Sequence, residues 1–319
     1  MAFTSIDNPE LYFQTKLYTG NGTDDTAITL DGDENMQPDW VWIKERDDAN
    51  AHYIFDSVRG IDKQLQSNST AAEYDYSGDA NRSLKSFNSD GFTLGTGAGV
   101  NGNGELFVAW CWKESATAGF DIVTYTGNQT ARTISHNLGA VPKMMIVKNR
   151  GTTGNWGVYH VGLGTANKRL ELDGTAAADT GTSVWNDTDP TSSVFSVGDN
   201  DRITNGNGMT YVAYLFAEKQ GYSKFGSYTG NGQDTPNGVF IYLGFTPAFI
   251  LIKATDDNSW VIVDNKRPAD SNPVDDSLAA DSTAAETTGD SNTTFDFLSN
   301  GFRTNGNSGN NNSSGQEYI

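Results

Sequence analysis

The tetrapeptide Tyr18-Thr19-Gly20-Asn21 (YTGN) occurs three times in this chain of 319 residues, and its recurrence decides how the sequence is divided. The same four letters return at 125–128 and at 228–231. An apolar run also recurs once in each repeat. WVWI, MMIV and FILI each lie between a proline and the lysine six positions after it. The matched pairs are Pro38 and Lys44, Pro142 and Lys148, and Pro247 and Lys253. The sequence therefore predicts an internal repeat.

Further landmarks follow in the same order within each repeat. STAAE (69–73) has counterparts in GTAAA (174–178) and in a second STAAE (282–286), and LFVAWCWKE (106–114) matches TYVAYLFAE (210–218). A period of about 105 residues is the size of a whole domain rather than of a solenoid coil. We therefore expect independently cored modules, either on a string or packed end to end.

These landmarks set the predicted boundaries. The prediction is an N-terminal docking segment at 1–15, followed by repeats at 16–115, 116–220 and 221–319. In the third repeat, Tyr318 and Ile319 align with Phe107 and Val108 of the closing run, so the natural chain is expected to continue past residue 319.

The apolar runs indicate the fold class. WVWI, MMIV and FILI are continuous in hydrophobicity, which is typical of strands that are buried on both faces. In the closing run, Val108, Trp110 and Trp112 alternate with Phe107, Ala109 and Cys111, as they would along a strand. Glycine-rich and asparagine-rich turns separate the runs. We predict an all-β chain of tandem jelly-roll-like β-sandwich domains of about 105 residues each, with an immunoglobulin-like sandwich as the alternative.

Composition and charge exclude several classes of partner. The net charge is −19, and no basic stripe is present, so neither nucleic acid nor an anionic membrane is an expected partner. The acidity indicates solubility, with cation binding or a high-salt environment as the alternative. The N-terminus does not resemble a signal peptide, and no apolar run is long enough for a membrane helix.

No catalytic residue is predicted, and no cofactor apart from calcium. GTGAGVNG (95–102) fits a dinucleotide-binding pattern but runs into a strand instead of a helix. Asp31, Asp33 and Asn35 alternate as calcium ligands do, although the surrounding residues exclude an EF-hand. A looser calcium site is a hypothesis for this loop, or for the acidic pairs Asp187/Asp189 and Asp199/Asp201.

Trp156 and Trp260 recur at matching places, where the first repeat has His52. Their rings are the candidate glycan platform, because an aromatic face stacks on the C–H groups of a sugar. The alternative, which we favour, is that they are core residues, since large aromatic side chains are usually buried.

The repeated phrases resemble a repeat domain of virion structural proteins from tailed bacteriophages, especially those of marine bacteria. YTGNGTDDTAITL (18–30), ISHNLGAVPKMMIVKNR (134–150) and YVAYLFAE (211–218) carry the resemblance, together with the opening MAFTSIDNPELYFQ (1–14). It implies a tail-fibre or appendage location in the virion, homo-oligomerisation (often as a trimer), contact with other virion proteins and contact with the host surface. It brings no catalytic residues.

Three functions are compatible with these sequence features. The first is an appendage whose loops bind a host-surface glycan, with avidity supplied by the repeats. The second is a purely structural adaptor or capsid decoration protein, and the third, less favoured, is a glycan depolymerase. Solvent-facing aromatic side chains clustered at one loop end would favour the first, whereas aromatic side chains buried against another subunit would favour the second.

Overall fold

A computed structural model describes residues 4–79, 82–200, 202–268 and 272–319 of the chain. Strands dominate the described residues, as the all-β prediction requires. The helical segments among them are short: α1 (Ala98–Asn101), α2 (Thr182–Trp185) and 3-10 turns at Pro9–Leu11 and Val161–Leu163. The prediction of an all-β protein is confirmed.

The first repeat folds into two sheets. Its strands are β1 (Phe13–Thr19), β2 (Thr26–Thr29), β3 (Trp40–Glu45), β4 (His52–Asp56), β5 (Lys63–Gln66), β6 (Tyr74–Asp75), β7 (Leu84–Asn88), β8 (Gly91–Leu94) and β9 (Leu106–Trp112). The larger sheet has the order β1-β9-β3-β4-β5-β6, and the smaller has the order β2-β8-β7. The first strand thus pairs with the last, which also pairs with the third.

The second repeat has the same arrangement. Its strands are β10 (Phe120–Thr126), β11 (Arg132–Ser135), β12 (Pro142–Asn149), β13 (Gly157–His160), β14 (Lys168–Glu171), β15 (Asp179–Thr180), β16 (Val194–Val197) and β17 (Thr210–Ala217). The larger sheet runs β10-β17-β12-β13-β14-β15, and β11 pairs with β16.

The third repeat is divided into smaller sheets. Its strands are β18 (Tyr228–Thr229), β19 (Phe240–Tyr242), β20 (Phe249–Lys253), β21 (Trp260–Asp264), β22 (Leu278–Ala279), β23 (Thr294–Leu298), β24 (Gly301–Asn305) and β25 (Glu317–Tyr318). They form the sheets β18-β25, β20-β21-β22 and β19-β24-β23.

The closing strands β9 and β17 show the predicted alternation. Val108 and Trp110 belong to one apolar cluster, whereas Phe107, Ala109 and Cys111 belong to another, inside the first repeat. In the second repeat, likewise, one set of alternate residues packs inside the repeat and the other packs outside it. The large sheet of each of these two repeats is therefore covered by apolar side chains on both faces.

One of these faces contributes to a core that all three repeats share. Each repeat keeps a separate cluster between its own sheets. The shared central core includes Trp40, Trp42, Trp110, Met144, Ile146, Trp156, Tyr214, Trp260, Ile262 and Ile319. The prediction of independently cored modules is therefore incomplete, because one face of each large sheet is buried by other repeats.

Equivalent backbone hydrogen bonds join the repeats in a closed ring. In each, the last residue of the STAAE or GTAAA segment donates its N–H to the carbonyl of the residue two positions after the recurring lysine. The pairs are Glu73 to Arg150 at 3.0 Å, Ala178 to Thr255 at 2.8 Å, and Glu286 to Arg46 at 2.7 Å. The third link returns to the first repeat, so the repeats form a ring of three and not the expected row.

The YTGN segment links the start of each repeat to its end through hydrogen bonds. The tyrosine hydroxyl donates to a carbonyl just before the closing strand, and the asparagine N–H donates to a buried asparagine side chain. The hydroxyl acceptors are Val100, Thr204 and Asn311, and the amide acceptors are Asn101, Asn205 and Asn312. A Cβ atom at Gly127 would lie 2.2 Å from the Gly206 oxygen, so glycine is required between them.

The predicted docking segment overlaps the first repeat. Phe13, Gln14 and Thr15 are the first residues of β1 and pair with Trp112, Cys111 and Trp110. Residues 1–3 lie outside the described residues. A docking role for the remainder of 1–15 stays a prediction.

Candidate functional site

The two tryptophans of the predicted glycan platform lie inside the ring. Trp156 is 0% exposed and Trp260 is 1% exposed. Each indole Nε1 donates to a backbone carbonyl of the preceding repeat, at 2.9 Å to Gln66 and at 2.8 Å to Glu171. An indole group enclosed in this way offers no face to a sugar. The glycan-platform hypothesis is therefore wrong for Trp156 and Trp260, and the interpretation as core residues holds.

The recurring lysines are buried ammonium groups. Lys148 Nζ donates to the carbonyls of Asn149 and Gly154, each at 2.9 Å, and to that of Thr70 in the first repeat at 3.2 Å. Lys44 and Lys253 bind carbonyls of their own repeats in the same way. Burial lowers the pKa of all three to about 8. These lysines hydrogen-bond to the turns at the strand ends. Lys148 also binds across a seam, the interface between two neighbouring repeats.

Buried ionic clusters lie at two of the three seams. Between repeats 1 and 2, Arg59 pairs with Asp56 and, at 2.8 Å, with Glu73, which also accepts two 2.9 Å hydrogen bonds from Arg150. Between repeats 3 and 1, the equivalent cluster is Asp264, Arg267, Glu286 and Arg46. Between repeats 2 and 3, the corresponding residues are His160, Leu163, Ala178 and Thr255. The seams therefore share backbone links and differ in charge.

The structure brings together a different acidic group from the one predicted to bind calcium. Asp31, Asp33 and Asn35 lie in a loop open to solvent, and Asp31 pairs with Lys16 at 3.2 Å. Among the described residues, carboxylates of Glu45, Asp47 and Glu105 approach one another within 4.8 Å. Partial desolvation and the neighbouring carboxylates raise the pKa of Glu105. Of the alternative pairs, Asp201 lies outside the described residues, and calcium binding at any of these places stays a prediction.

A polar cleft of about 400 Å³ lies at one loop end of the second repeat. Gln129, Asn186 and Asp187 line it, and all three have left-handed backbone, with φ of 57°, 52° and 44°. Asparagine and aspartate adopt the left-handed region readily, and Asn186 does so as the residue that ends α2, so Gln129 is the residue of the three for which this conformation is costly. Thr130, Thr182, Ser183 and Asp199 add hydroxyl and carboxylate groups. The cleft thus offers hydrogen-bonding groups of the kind that hold sugar hydroxyls.

The cleft was missed because its residues are distant in sequence, but a signal was present. Gln129 occupies the position after YTGN, where the other repeats have Gly22 and Gly232, with φ of 65° and 66°. Glutamine thus keeps the left-handed backbone of the two glycines, and the second repeat departs from the common sequence at this position.

Comparison with protein families gives one assignment. Residues 8–319 match the family described as Domain of unknown function (DUF7483). The chain belongs to the DUF7483 family. The DUF7483 match runs through all three repeats, so the family unit includes the whole ring. Comparison with curated proteins and with solved structures finds no match. In the part of the chain that the structure describes, no helix has the length and apolar character to cross a membrane.

Proposed function

We propose that this chain is a non-enzymatic structural protein of a tailed-bacteriophage virion, located in a tail fibre or another appendage. The sequence resemblance supports the virion setting. The shared core supports the structural role, because six of the seven tryptophans are buried, most of them where repeats meet. Aromatic burial between repeats is what a rigid building block requires and what a glycan platform lacks.

The closed ring is the single structural observation that carries the building-block role in this proposal. Three equivalent links produce a threefold arrangement within one chain, so one copy can occupy a position otherwise filled by three subunits. We propose that the ring stands in place of the expected homotrimer and binds other virion proteins through its outer surface. Adaptor or capsid decoration is the alternative location for the same block.

Each repeat is, in this proposal, a jelly-roll-like sandwich. Its first strand pairs with its last, and its second strand pairs with its next-to-last, as in β11 with β16, which is the nested pairing of a jelly roll. The meander from β12 to β15 in one sheet departs from that pattern.

Immunogold labelling of whole particles tests the virion assignment. Antibodies against the purified protein are applied to particles from cells that carry the gene, and the particles are viewed by electron microscopy. We expect gold at a tail appendage, whereas gold distributed over the head would favour the decoration alternative. Protein found in the soluble extract of these cells, with unlabelled particles, would contradict the proposal.

Host-glycan binding is a second candidate function, and the polar cleft of the second repeat favours it. A left-handed glutamine, hydroxyls and carboxylates converge there on a space large enough for a sugar ring. A glycan array probed with the intact protein and with Asn186→Gly tests this function. Signal that the variant loses would support it, and a uniformly blank array would exclude it.

A further inference from the structure

Two large aromatic side chains of β19 are exposed on one face of the small sheet in the third repeat. Phe240 is 46% exposed and Tyr242 is 63% exposed, and among the described residues they are the two most exposed large apolar side chains. Ile241, between them, packs against the core of the third repeat. Alternate residues of a strand share a face, so Phe240 and Tyr242 lie side by side on the outer face, about 7 Å apart along the strand.

The equivalent positions are exposed in all three repeats, but they hold aromatic residues in the third repeat alone. An inward isoleucine opposite a phenylalanine sets the common register, in the pairs Ile28 and Phe92, Ile134 and Phe195, and Ile241 and Phe302. In the first two repeats, the exposed residues on either side of the isoleucine are small: Ala27 and Thr29, and Thr133 and Ser135. Exposure at these positions is therefore a property of the common fold, whereas the aromatic rings are a feature of the third repeat.

An ion pair lies beside Phe240 on the same face. Arg303 of β24 pairs with Phe240, and Asp296 of β23 pairs with Arg303, so the three side chains form one row across the sheet. Arg303 donates to Asp296 Oδ2 from Nη2 at 2.8 Å and from Nε at 3.1 Å, and its Nη1 donates to the carbonyl of Pro236 at 2.8 Å. These bonds fix the guanidinium group and neutralise its charge. The same row in the first repeat is Ala27, Thr93 and Ser86.

We propose that this aromatic face (Phe240, Tyr242, Arg303 and Asp296) binds a neutral saccharide chain. The two rings stack on the C–H faces of neighbouring sugar units, while Asp296 accepts hydrogen bonds from sugar hydroxyls and Arg303 donates to them. Apolar contact together with a few fixed polar groups is the combination that orients a small ligand. Because the ion pair leaves the face without net charge, a neutral sugar fits it better than an acidic one. The proposal rests neither on the virion setting nor on the polar cleft of the second repeat.

The small size of the aromatic face argues against a protein as its occupant. A buried phenylalanine or tyrosine covers about 150–250 Å², so the exposed parts of two such rings offer on the order of 200 Å². A stable protein interface buries about 800 Å² on each partner. A second copy of the chain would also bring another net charge of −19 to the contact, and like charges repel. A sugar unit, by contrast, needs a single ring face.

An array of neutral oligosaccharides, each printed beside a counterpart that contains uronic acid, tests the proposal with the intact 319-residue protein. The combined substitutions Phe240→Thr and Tyr242→Ser give the third repeat the residues of the second. We expect this double variant to lose the neutral-sugar signal and to bind the strongest array ligand at least about tenfold more weakly in calorimetry. The control, Val58→Ser with Leu106→Ser, removes two exposed apolar side chains elsewhere and should bind as wild type does. Circular dichroism confirms that both variants are folded.

Asp296→Asn tests the role of the ion pair. The asparagine side-chain oxygen still accepts from Arg303, but the charge of the guanidinium group is no longer neutralised. We expect the variant to bind the acidic counterparts more strongly relative to the neutral sugars than wild type does. A merely structural role of Asp296 would change the two affinities by the same factor, and that result would remove the ion pair from the site.

Three outcomes would overturn the proposal. The first is a neutral-sugar signal that the double variant retains, above all one that Asn186→Gly abolishes, since the sugar would then bind in the polar cleft of the second repeat. The second is a concentration-dependent dimer that the double variant abolishes, because a second copy would then cover the aromatic face. The third is a blank array, which would also exclude the polar cleft as a glycan site. A blank array would leave the building-block role standing, because particle labelling tests that role separately.

Discussion

Trp156 of the second repeat donates its indole N–H to the carbonyl oxygen of Gln66 in the first repeat, over 2.9 Å. Trp260 makes the equivalent 2.8 Å bond to Glu171, and His52 lies beside the backbone of Ala279. One position in each repeat therefore reaches into the preceding repeat while its ring fills the central core. The same side chain provides both apolar burial and a directed link between repeats.

Replacement of Trp156 by phenylalanine separates these two contributions. Trp156→Phe keeps an aromatic ring in the core but removes the N–H, so we expect a loss of about 1–2 kcal/mol in the free energy of unfolding. Trp156→Ala also leaves a cavity and should cost about 3–5 kcal/mol. Guanidinium unfolding followed by circular dichroism measures both, with Trp260→Phe as the matched variant. Equal stability of Trp156→Phe and wild type would show that the link contributes nothing.

The sequence predicts strands, faces and the repeat well, because these depend on local alternation and on turn residues. It does not predict the ring. Val41 packs inside its own repeat and Trp42 packs against other repeats, yet both are apolar positions in one strand. Apolar residues on two faces show that both faces are covered, but not whether a second sheet or another repeat covers them. Trp156 and Trp260 are recognisable as recurrent, and only the ring explains why they recur.

The ionic cluster between repeats 1 and 2 should be sensitive to loss of its shared carboxylate. Glu73 neutralises both Arg59 and Arg150, so Glu73→Gln leaves the fully buried Arg59 with fewer counter-charges. Breaking a buried pair by removing one partner costs about 3–5 kcal/mol, and partial exposure of Arg150 places the expected loss near the lower limit.

Thermal unfolding of Glu73→Gln and of the equivalent Glu286→Gln measures this loss. The seam between repeats 2 and 3 supplies the control, because Ala178 occupies the same position in a seam that has no equivalent ionic cluster. Ala178→Gln should therefore change the unfolding temperature less than Glu73→Gln does. The reverse order would mean that the ionic clusters do not hold the seams.

The buried lysines predict that stability rises with pH under mildly alkaline conditions. Their folded pKa of about 8 lies below the ordinary value of 10.5, so between these values the unfolded chain binds more protons. The unfolding free energy should therefore be lowest below pH 8 and should increase as the pH rises above it. Burial raises the pKa of Tyr18 and Tyr125 well above 10, so this increase should reverse once unfolded tyrosines ionise.

Urea unfolding at pH 7, 8 and 9 measures this dependence. Lys148→Met keeps the aliphatic stem without the titrating group, so the pH slope of that variant should fall by about one third. The variant should also be less stable at pH 7, because the carbonyls of Asn149 and Gly154 lose their donor. A pH slope that is the same in wild type and Lys148→Met would rule out the buried ammonium as its source.

Gln129 tests whether the left-handed residues of the polar cleft are retained at a cost in stability. Gln129→Gly restores the residue found at the equivalent positions 22 and 232, and it relieves a left-handed conformation that costs about 1–2 kcal/mol for a residue with a Cβ atom. Allowing for the greater chain entropy of glycine, we expect the variant to be more stable by up to about 1 kcal/mol. Gly22→Gln in the first repeat is the reciprocal control and should destabilise the protein. A variant that gains stability but loses glycan-array signal would show that the left-handed conformation of Gln129 serves binding. A variant that loses stability would show that packing holds Gln129 in place, and the conformation of Gln129 would then be no evidence for a binding site.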